Sequence, residues 1–416
     1  MKIPGGFGSL RRSFAIRDYR LFVIGNLTSN IGLWTQRVAL LWLTWDLTHS
    51  PAWLGAMAIV ESAPMLLFAP IAGAIVDRVD YFKLLRFTQS LSLLFAVILA
   101  ALTLGGWMNI WFVLAIVLAR GTVTAFNRTS RMTVIFTLVG RDMLATAVAL
   151  NSVIFNISRF LGPAVGGSLI VFGGVGWTFA VAAGLFFVFT VTLHMIGARI
   201  APPPEREHRS MVAEMAEGLR YMLLHDGIRV QIVMLVIIGF LAKPLSDMLP
   251  GFVGNVFGRG PEGLAILTSS YGAGAMLGAF YMASRDKGVS GLTAISIAGV
   301  LVIGLGTLLF VATPVFIVGC VAIFIIGLAA IMQNVANQTL IQTASDPAMR
   351  GRVISNHGLV QHSTPAIGAL IMGAIAEHAG LRPTLAVGAV ICVSLWIWVW
   401  RQRHMLVRSL EASARD

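Results

Sequence analysis

Apolar runs of 20 or more residues recur along the whole of this 416-residue chain, and they leave it few ways to fold. A run of that length matches the hydrocarbon core of a bilayer. Inside lipid each backbone N–H and C=O must be satisfied within its own segment, so such runs are helices. Charged residues make up only 12% of the chain, about half of what a soluble domain carries. The expected fold is an all-α polytopic membrane protein. Twelve transmembrane helices are predicted, at 21–45, 52–76, 84–105, 107–127, 143–172 and 174–197, then 229–257, 262–283, 292–311, 314–341, 352–377 and 381–402. The first has no small-residue cleavage site after it and reads as a retained span rather than a leader.

The pattern repeats. Thr364-Pro365-Ala366-Ile367-Gly368-Ala369 lies in register with Gly162-Pro163-Ala164-Val165-Gly166-Gly167 at an offset of 202, and Asn356 matches Asn151 at 205. This predicts two pseudo-symmetric six-helix halves, residues 1–198 and 229–404. Residues 199–228 form the expected linker, and 405–416 a tail. The linker opens with Pro202-Pro203-Pro204 and then sets Met211, Met215, Leu219, Met222 and Leu223 on one helical face, as an amphipathic helix on a membrane surface would.

The net charge of +12 is split among short loops, which excludes a nucleic-acid-binding stripe. Of the 30 Lys and Arg residues, 24 fall in segments that share one side of the membrane and two, Arg259 and Arg382, on the other. That bias predicts both termini in the cytoplasm. Trp53, Trp107, Trp111 and Trp177 are expected at outer helix ends as an interfacial belt. Cys320 and Cys392 lie in apolar segments and form no redox or metal motif. A nucleotide-binding glycine loop, a nucleophile elbow and metal-ligand spacing are all missing, so neither an enzyme nor a cofactor is expected, and an ion gradient is the economical energy source.

The stretch Arg120 to Gly167 carries the most specific chemistry. Arg120 stands in an apolar helix, a basic loop through Asn127–Arg131 and Arg141 is expected after it, and Gly162-Pro163 and Gly166-Gly167 interrupt the next helix. Pro163 cannot donate to the carbonyl of Arg159, so the helix is locally weakened and can bend there, with Arg159 as a candidate anchor. Ser158, Gly162 and Gly166 form a small-residue stripe for close helix approach. Static packing is the plainer use of such a stripe, but its place next to a buried arginine and its partial copy in the other half favour a carrier that repacks. Only Glu61 and Asp247 among 18 acidic residues lie well inside spans, which makes them proton-coupling candidates. Arg37 is the expected counter-ion of Glu61, and Lys243 that of Asp247 four residues on. Arg120 can hold a carboxylate or an anionic cargo group. Asn26, Asn30, Gln36, Asn151, Asn156, Asn334 and Gln338 are candidates to line a cavity, though membrane helices also use such residues as interhelical glue. His357 and His362 are possible proton carriers or structural groups. Asp77 with Arg78, after Gly73, suits a switchable latch on a helix N-terminus; a solvated turn is the plainer reading.

These motifs resemble the major facilitator superfamily. Gly73 through Asp77-Arg78 is similar to its gating loop, although Asp80-Tyr81-Phe82 replaces the usual Gly-Arg-Arg or Gly-Arg-Lys. Arg120 matches the buried arginine of the fourth helix. Arg159, Gly162, Pro163, Gly166 and Gly167 resemble the fifth-helix signature of the family's antiporters, which are mostly exporters. Arg17-Asp18-Tyr19-Arg20-Leu21-Phe22, Glu217-Gly218-Leu219-Arg220-Tyr221 and Arg350-Gly351-Arg352-Val353 resemble the drug–proton antiporter branch that includes the enterobactin exporter and macrolide-efflux proteins. The resemblance implies a secondary transporter in a bacterial inner membrane. Its expected partners are protons, the lipid bilayer and a hydrophobic or amphipathic small-molecule substrate such as a drug, macrolide or siderophore, handled by a monomer. Two rivals are an importer or facilitator of a polar metabolite and a transporter fold serving as a membrane scaffold.

Overall fold

The computed structural model describes residues 12–76, 79–197, 211–286 and 288–412. Every regular element among them is helical. The first four long helices are α1 (Arg17–Thr48), α2 (Pro51–Val76), α3 (Tyr81–Leu104) and α4 (Ile110–Gly140). Gly140 at φ 69° and Gly174 at φ 82° break the helical stretch that runs on to Met195, leaving α5 over 146–173 and α6 over 175–195. Both breaks use the left-handed region that glycine enters without a Cβ clash. There follow α7 (Met211–Leu224), α8 (Asp226–Leu241), α9 (Leu245–Asn255), α10 (Pro261–Ala283), α11 (Leu292–Ala312), α12 (Phe316–Ala344), α13 (Arg350–Ala379) and α14 (Leu381–Arg401).

Among the described residues 10 helical stretches are long and apolar enough to cross a membrane. One of them spans 50 residues. As a single helix it would run about 75 Å, so the Gly174 break makes it two spans. Helix α1 supplies the twelfth, its hydropathy lowered by Asn26, Asn30, Gln36 and Arg37.

Two sequence expectations need correction. The basic loop after residue 127 is instead helix: α4 continues to Gly140 and carries both Arg128 and Arg131. The seventh span is also not one helix. Ala242–Pro244 form a turn in which Lys243 N–H reaches back to Ile238 C=O at 3.0 Å, so Lys243 and Asp247 do not share an uninterrupted helical face. The helix through Pro163, where the missing N–H permits a bend, keeps helical backbone dihedrals.

The chain divides into two compact units, Met1–Leu47 with Val60–Arg206, and Thr48–Ile59 with Glu207–Asp416. In the first, Tyr19 and Phe22 of α1 pack with Tyr81, Phe82 and Leu85 of α3 and with Phe189 of α6. This explains the departure at residues 80–82. The Asp80 carboxylate caps α3, accepting from the N–H groups of Phe82 at 2.9 Å and Lys83 at 3.1 Å, and the two aromatic rings behind it fill the core. Arg86 satisfies the far end of α6, donating to the carbonyls of Leu193 and Ile196. The small stripe of α5 lies on α1: a methyl at Gly162 would overlap Trp34, one at Gly166 would meet the Thr35 carbonyl, and Thr35 Oγ1 donates to Gly162 C=O at 3.1 Å.

In the second unit the repeat is packed the same way. Gly368, counterpart of Gly166, presses on the backbone of Phe240 in α8, as Gly166 does on that of Thr35 in α1. The linker helix α7 docks by one face on α13: Glu217 pairs with Arg352 at 2.8 Å, Asn356 Nδ2 donates to Met215 C=O, and Gly218 lies against the Arg352 backbone. The two motifs at residues 217–221 and 350–353 are thus one contact. The chain's last described stretch is docked too. Leu406 and Leu410 are fully buried, and the Glu411 carboxylate accepts from Gly291 and Thr293 N–H at the start of α11. At the start of α2, Glu377 of α13 accepts from Ser50 Oγ at 2.7 Å and from Ala52 N–H at 3.3 Å.

Candidate functional site

The first unit holds a polar cavity of about 360 Å³ walled by α1, α3, α4, α5 and α6. Its polar lining comes from residue spacings that the helices themselves impose. Asn26 and Asn30 stand one turn apart on α1, and Arg120, Thr124, Asn127 and Arg131 fall at i, i+4, i+7 and i+11 along α4, one continuous face.

Two guanidinium groups organise the site. Arg120 is 5% exposed; its Nη2 donates to Glu61 Oε1 at 2.8 Å and its Nη1 to Gln36 Oε1 at 3.3 Å. Arg37 lies 3.8 Å from the other oxygen of the same carboxylate. Glu61 therefore serves two cations, and Arg120 rather than Arg37 is its nearer partner. Gly121 permits this approach, because a methyl there would sit 2.9 Å from the Glu61 carbonyl and 3.0 Å from the Pro64 ring.

Arg131 is the second centre. Its Nη1 donates to Asn26 Oδ1 at 2.9 Å, and its Nη2 to Asn127 Oδ1 at 3.0 Å and to Ser29 and Gln89 at 3.3 Å. Its guanidinium lies 4.8 Å from the centroid of the Phe189 ring. Asn26 in turn accepts from Asn30 and donates to Asn151 at 2.9 Å, while Asn127 donates to Thr88. Asn156 also lines the cavity, with its amide turned back to the Ser152 carbonyl.

The structure thus brings together Glu61, Arg37, Arg120 and Gln36 in one cluster and Asn26, Asn30 and Asn151 in a second. Both clusters lie in the first unit. Arg159 and Arg37 flank Trp34, each between 5 and 6 Å from its ring. Gly162 and Gly166 belong to the α1–α5 packing surface, Pro163 and Gly167 are buried, and none of the four lines the cavity. Gly73 lies near the end of α2, and Asp77 and Arg78 lie outside the described residues.

The second unit carries the other candidates. Asp247 is buried in the first turn of α9, where a carboxylate complements the helix dipole. Lys243 borders a narrow apolar cavity with Tyr271 and Leu249. On α12 Gln333 and Asn337 are buried, and the cavity candidates Asn334 and Gln338 beside them are half-buried. Asn334 accepts from Gln361 at 2.8 Å. Asn337 donates to Gln231 Oε1 at 2.7 Å and meets His357 Nε2 at 3.1 Å, and Ser296 joins the same amide, so His357 belongs to a fully buried polar network. His362 contacts the carbonyl one turn back on its own helix.

Sequence reasoning missed Arg131, Gln89 and Asn127. The spacing of Arg120, Thr124, Asn127 and Arg131 was the available signal, once α4 is carried past residue 127.

Residues 10–415 match the protein family described as transmembrane secretion effector. The multidrug efflux pump Tap of Mycolicibacterium fortuitum is 26% identical over 379 residues, 88% of this chain and 90% of that one. The enterobactin exporter EntS of Escherichia coli is 24% identical over 342 residues, 79% and 78% of the two chains. The staphyloferrin A transporter of Staphylococcus aureus is 28% identical over 231 residues, a match spanning 55% of this chain and 57% of that one. In fold, the chain superposes on the nucleoside transporter NupG with a TM-score of 0.73 at 11% identity, over 92% of this chain and 98% of that one.

Proposed function

The chain belongs to the transmembrane secretion effector family of major facilitator transporters, and from that premise we propose that it exports a small hydrophobic or amphipathic molecule in exchange for protons. The observation that carries this reading is the Arg37–Glu61–Arg120 cluster beside the cavity of the first unit. A carboxylate held by two guanidinium groups has two well-separated states. Ionised, it binds both arginines; protonated, it frees them and withdraws a counter-charge from the cavity wall. Proton uptake at Glu61 and cargo contact at Arg120 then compete for the same guanidinium, which is the linkage an exchanger requires.

In this proposal Asn26, Asn30, Gln36 and Asn151 contact cargo, Asp247 with Lys243 and the His357 network form the second unit's share of the polar machinery, and Asp77 with Arg78 gates. Access alternates by movement within and between the halves 1–198 and 229–404, while Gly162 and Gly166 let α1 and α5 slide. Both termini face the cytoplasm of a bacterial inner membrane, and the functional unit is a monomer. The efflux names of the relatives Tap and EntS support the outward direction.

The test is proton movement by the purified protein in liposomes on addition of drugs and siderophores, wild type against Glu61→Gln. Cargo-triggered proton movement that disappears in the variant supports the exchange and its site. Movement that persists moves the coupling to Asp247, and none with any compound favours the importer or scaffold reading.

A further inference from the structure

Arg131 stands in the first unit's cavity with a charge that its own surroundings do not answer. The four side chains that accept its hydrogen bonds, Asn26, Ser29, Gln89 and Asn127, are neutral, and so is the Phe189 ring beneath it. Among the described residues no carboxylate pairs with it, and its Nε is buried with no hydrogen-bond partner. Arg120 lines the same cavity, divides one carboxylate with Arg37, and also keeps a buried Nε without a partner. A cation removed from water is costly until a counter-charge arrives, and neutral oxygens replace only part of its hydration.

We infer that the counter-charge is the cargo: the cavity takes an anionic small molecule whose carboxylate or comparable oxyanion docks on Arg131, with Asn26 and Asn127 setting the orientation of the guanidinium. This rests on the export reading above, because it takes the cavity as the cargo site. A planar guanidinium suits a two-oxygen anion, which it meets with parallel N–H donors. A cavity of about 360 Å³ suits a small ligand. Cationic amphiphiles are disfavoured by like charge at both Arg120 and Arg131. The inference therefore selects, from the range of small molecules named above, those that carry negative charge at neutral pH.

An anionic phospholipid phosphate offers the same oxyanion chemistry, and the experiment separates the two sources. Purified full-length protein in detergent at low chloride is titrated with citrate, with uncharged triethyl citrate, with spermidine and with cardiolipin, following thermal stability and binding. The variants are Arg131→Gln, Arg131→Lys and Asn26→Asp. Asn26→Asp is nearly isosteric: it keeps the oxygen that accepts from Arg131 and Asn30 and, with the Asn151 amide turned to donate, places a fixed carboxylate on Arg131.

Citrate is expected to bind wild type at least about tenfold more tightly than the ester or spermidine, the size of one charge-assisted hydrogen bond. Asn26→Asp is expected to melt higher than wild type and to lose that citrate preference, a combination that a misfolded variant cannot give. Arg131→Lys should retain part of the preference and Arg131→Gln none. Equal binding of ester and citrate, no citrate binding, citrate binding unchanged in Asn26→Asp, or a lower melting point for that variant each overturns the inference. Stabilisation by cardiolipin alone, lost in Asn26→Asp, assigns the arginine to lipid and overturns it as well. Charge-selective binding without any proton movement in liposomes would sink the exchange reading and leave the anion site standing. Proton-coupled export of a neutral or cationic compound unaffected by Arg131→Gln would do the reverse.

Discussion

Arg131 and Arg120 show two ways of keeping a cation inside an apolar helix bundle. Arg120 has a carboxylate at 2.8 Å, whereas Arg131 is spread over amide and hydroxyl oxygens of α1, α3 and α4. The first arrangement makes a sharp energetic prediction. Glu61→Ala leaves two arginines facing one another's charge, and Arg120→Ala leaves a carboxylate with only the more distant Arg37. Each single variant should lower the melting temperature, and the double variant should be less stable than wild type by about 1.5–3 kcal/mol less than the sum of the singles. A thermal-melt double-mutant cycle measures this, and strict additivity would contradict the pairing. Glu61, Arg120, Asn26 and Asn151 could be picked out in the sequence because a polar residue in an apolar run is conspicuous. Arg131 was hidden for the opposite reason: Asn127, Arg128, Thr129, Ser130 and Arg131 are consecutive polar residues, and consecutive polar residues imitate a loop.

Among the elements, the helices that carry glycine at close approaches do the positioning. Helix α5 reaches α1 through Gly162 and Gly166, and α13 reaches α8 through Gly368, the same contact made twice by a duplicated sequence. Adding bulk at Gly166 should force the pair apart at a cost of about 1–3 kcal/mol; Gly166→Val is expected to melt lower and to lose transport, while Gly184→Val, where a Cβ meets nothing within 4 Å, should do neither. The linker helix α7 offers a second element-scale test. Gly218 touches Asn356 and Arg352, so Gly218→Leu should lift α7 from α13 and raise amide hydrogen exchange across residues 211–224 without changing that of α3. Unaltered exchange in α7 would mean that the Glu217–Arg352 pair and the Asn356–Met215 hydrogen bond hold the helix without the close approach at Gly218. The amphipathic face was legible from sequence, but its packing partner was not, because helical periodicity reports which residues seek an apolar surface and not whether lipid or protein provides it.

For the molecule as a whole, the charge bias of the loops survives the revision of α4. Moving Arg128 and Arg131 from a loop into a helix takes the count from 24 to 22, still against two on the other side. Both termini are therefore proposed to be cytoplasmic. With Cys320 replaced by Ser and Cys392 by Ala, a membrane-impermeant maleimide applied to spheroplasts should label Trp107→Cys, between α3 and α4, and not Ser290→Cys, before α11. The reverse pattern would invert the topology. The class of fold, the number of spans, the duplication and the presence of a few intramembrane charges could all be read from residue order. These follow from transfer free energies and backbone hydrogen bonding, which act on each segment independently of its neighbours. Only tertiary structure decided that Arg120 rather than Arg37 is the nearer partner of Glu61, that Gln333 and Asn337 are buried amides of α12, and that Arg131 faces a cavity in which no carboxylate among the described residues pairs with it. Pairing and burial depend on helix rotation and on where each helix ends, and both are fixed by packing between helices that lie far apart in the chain.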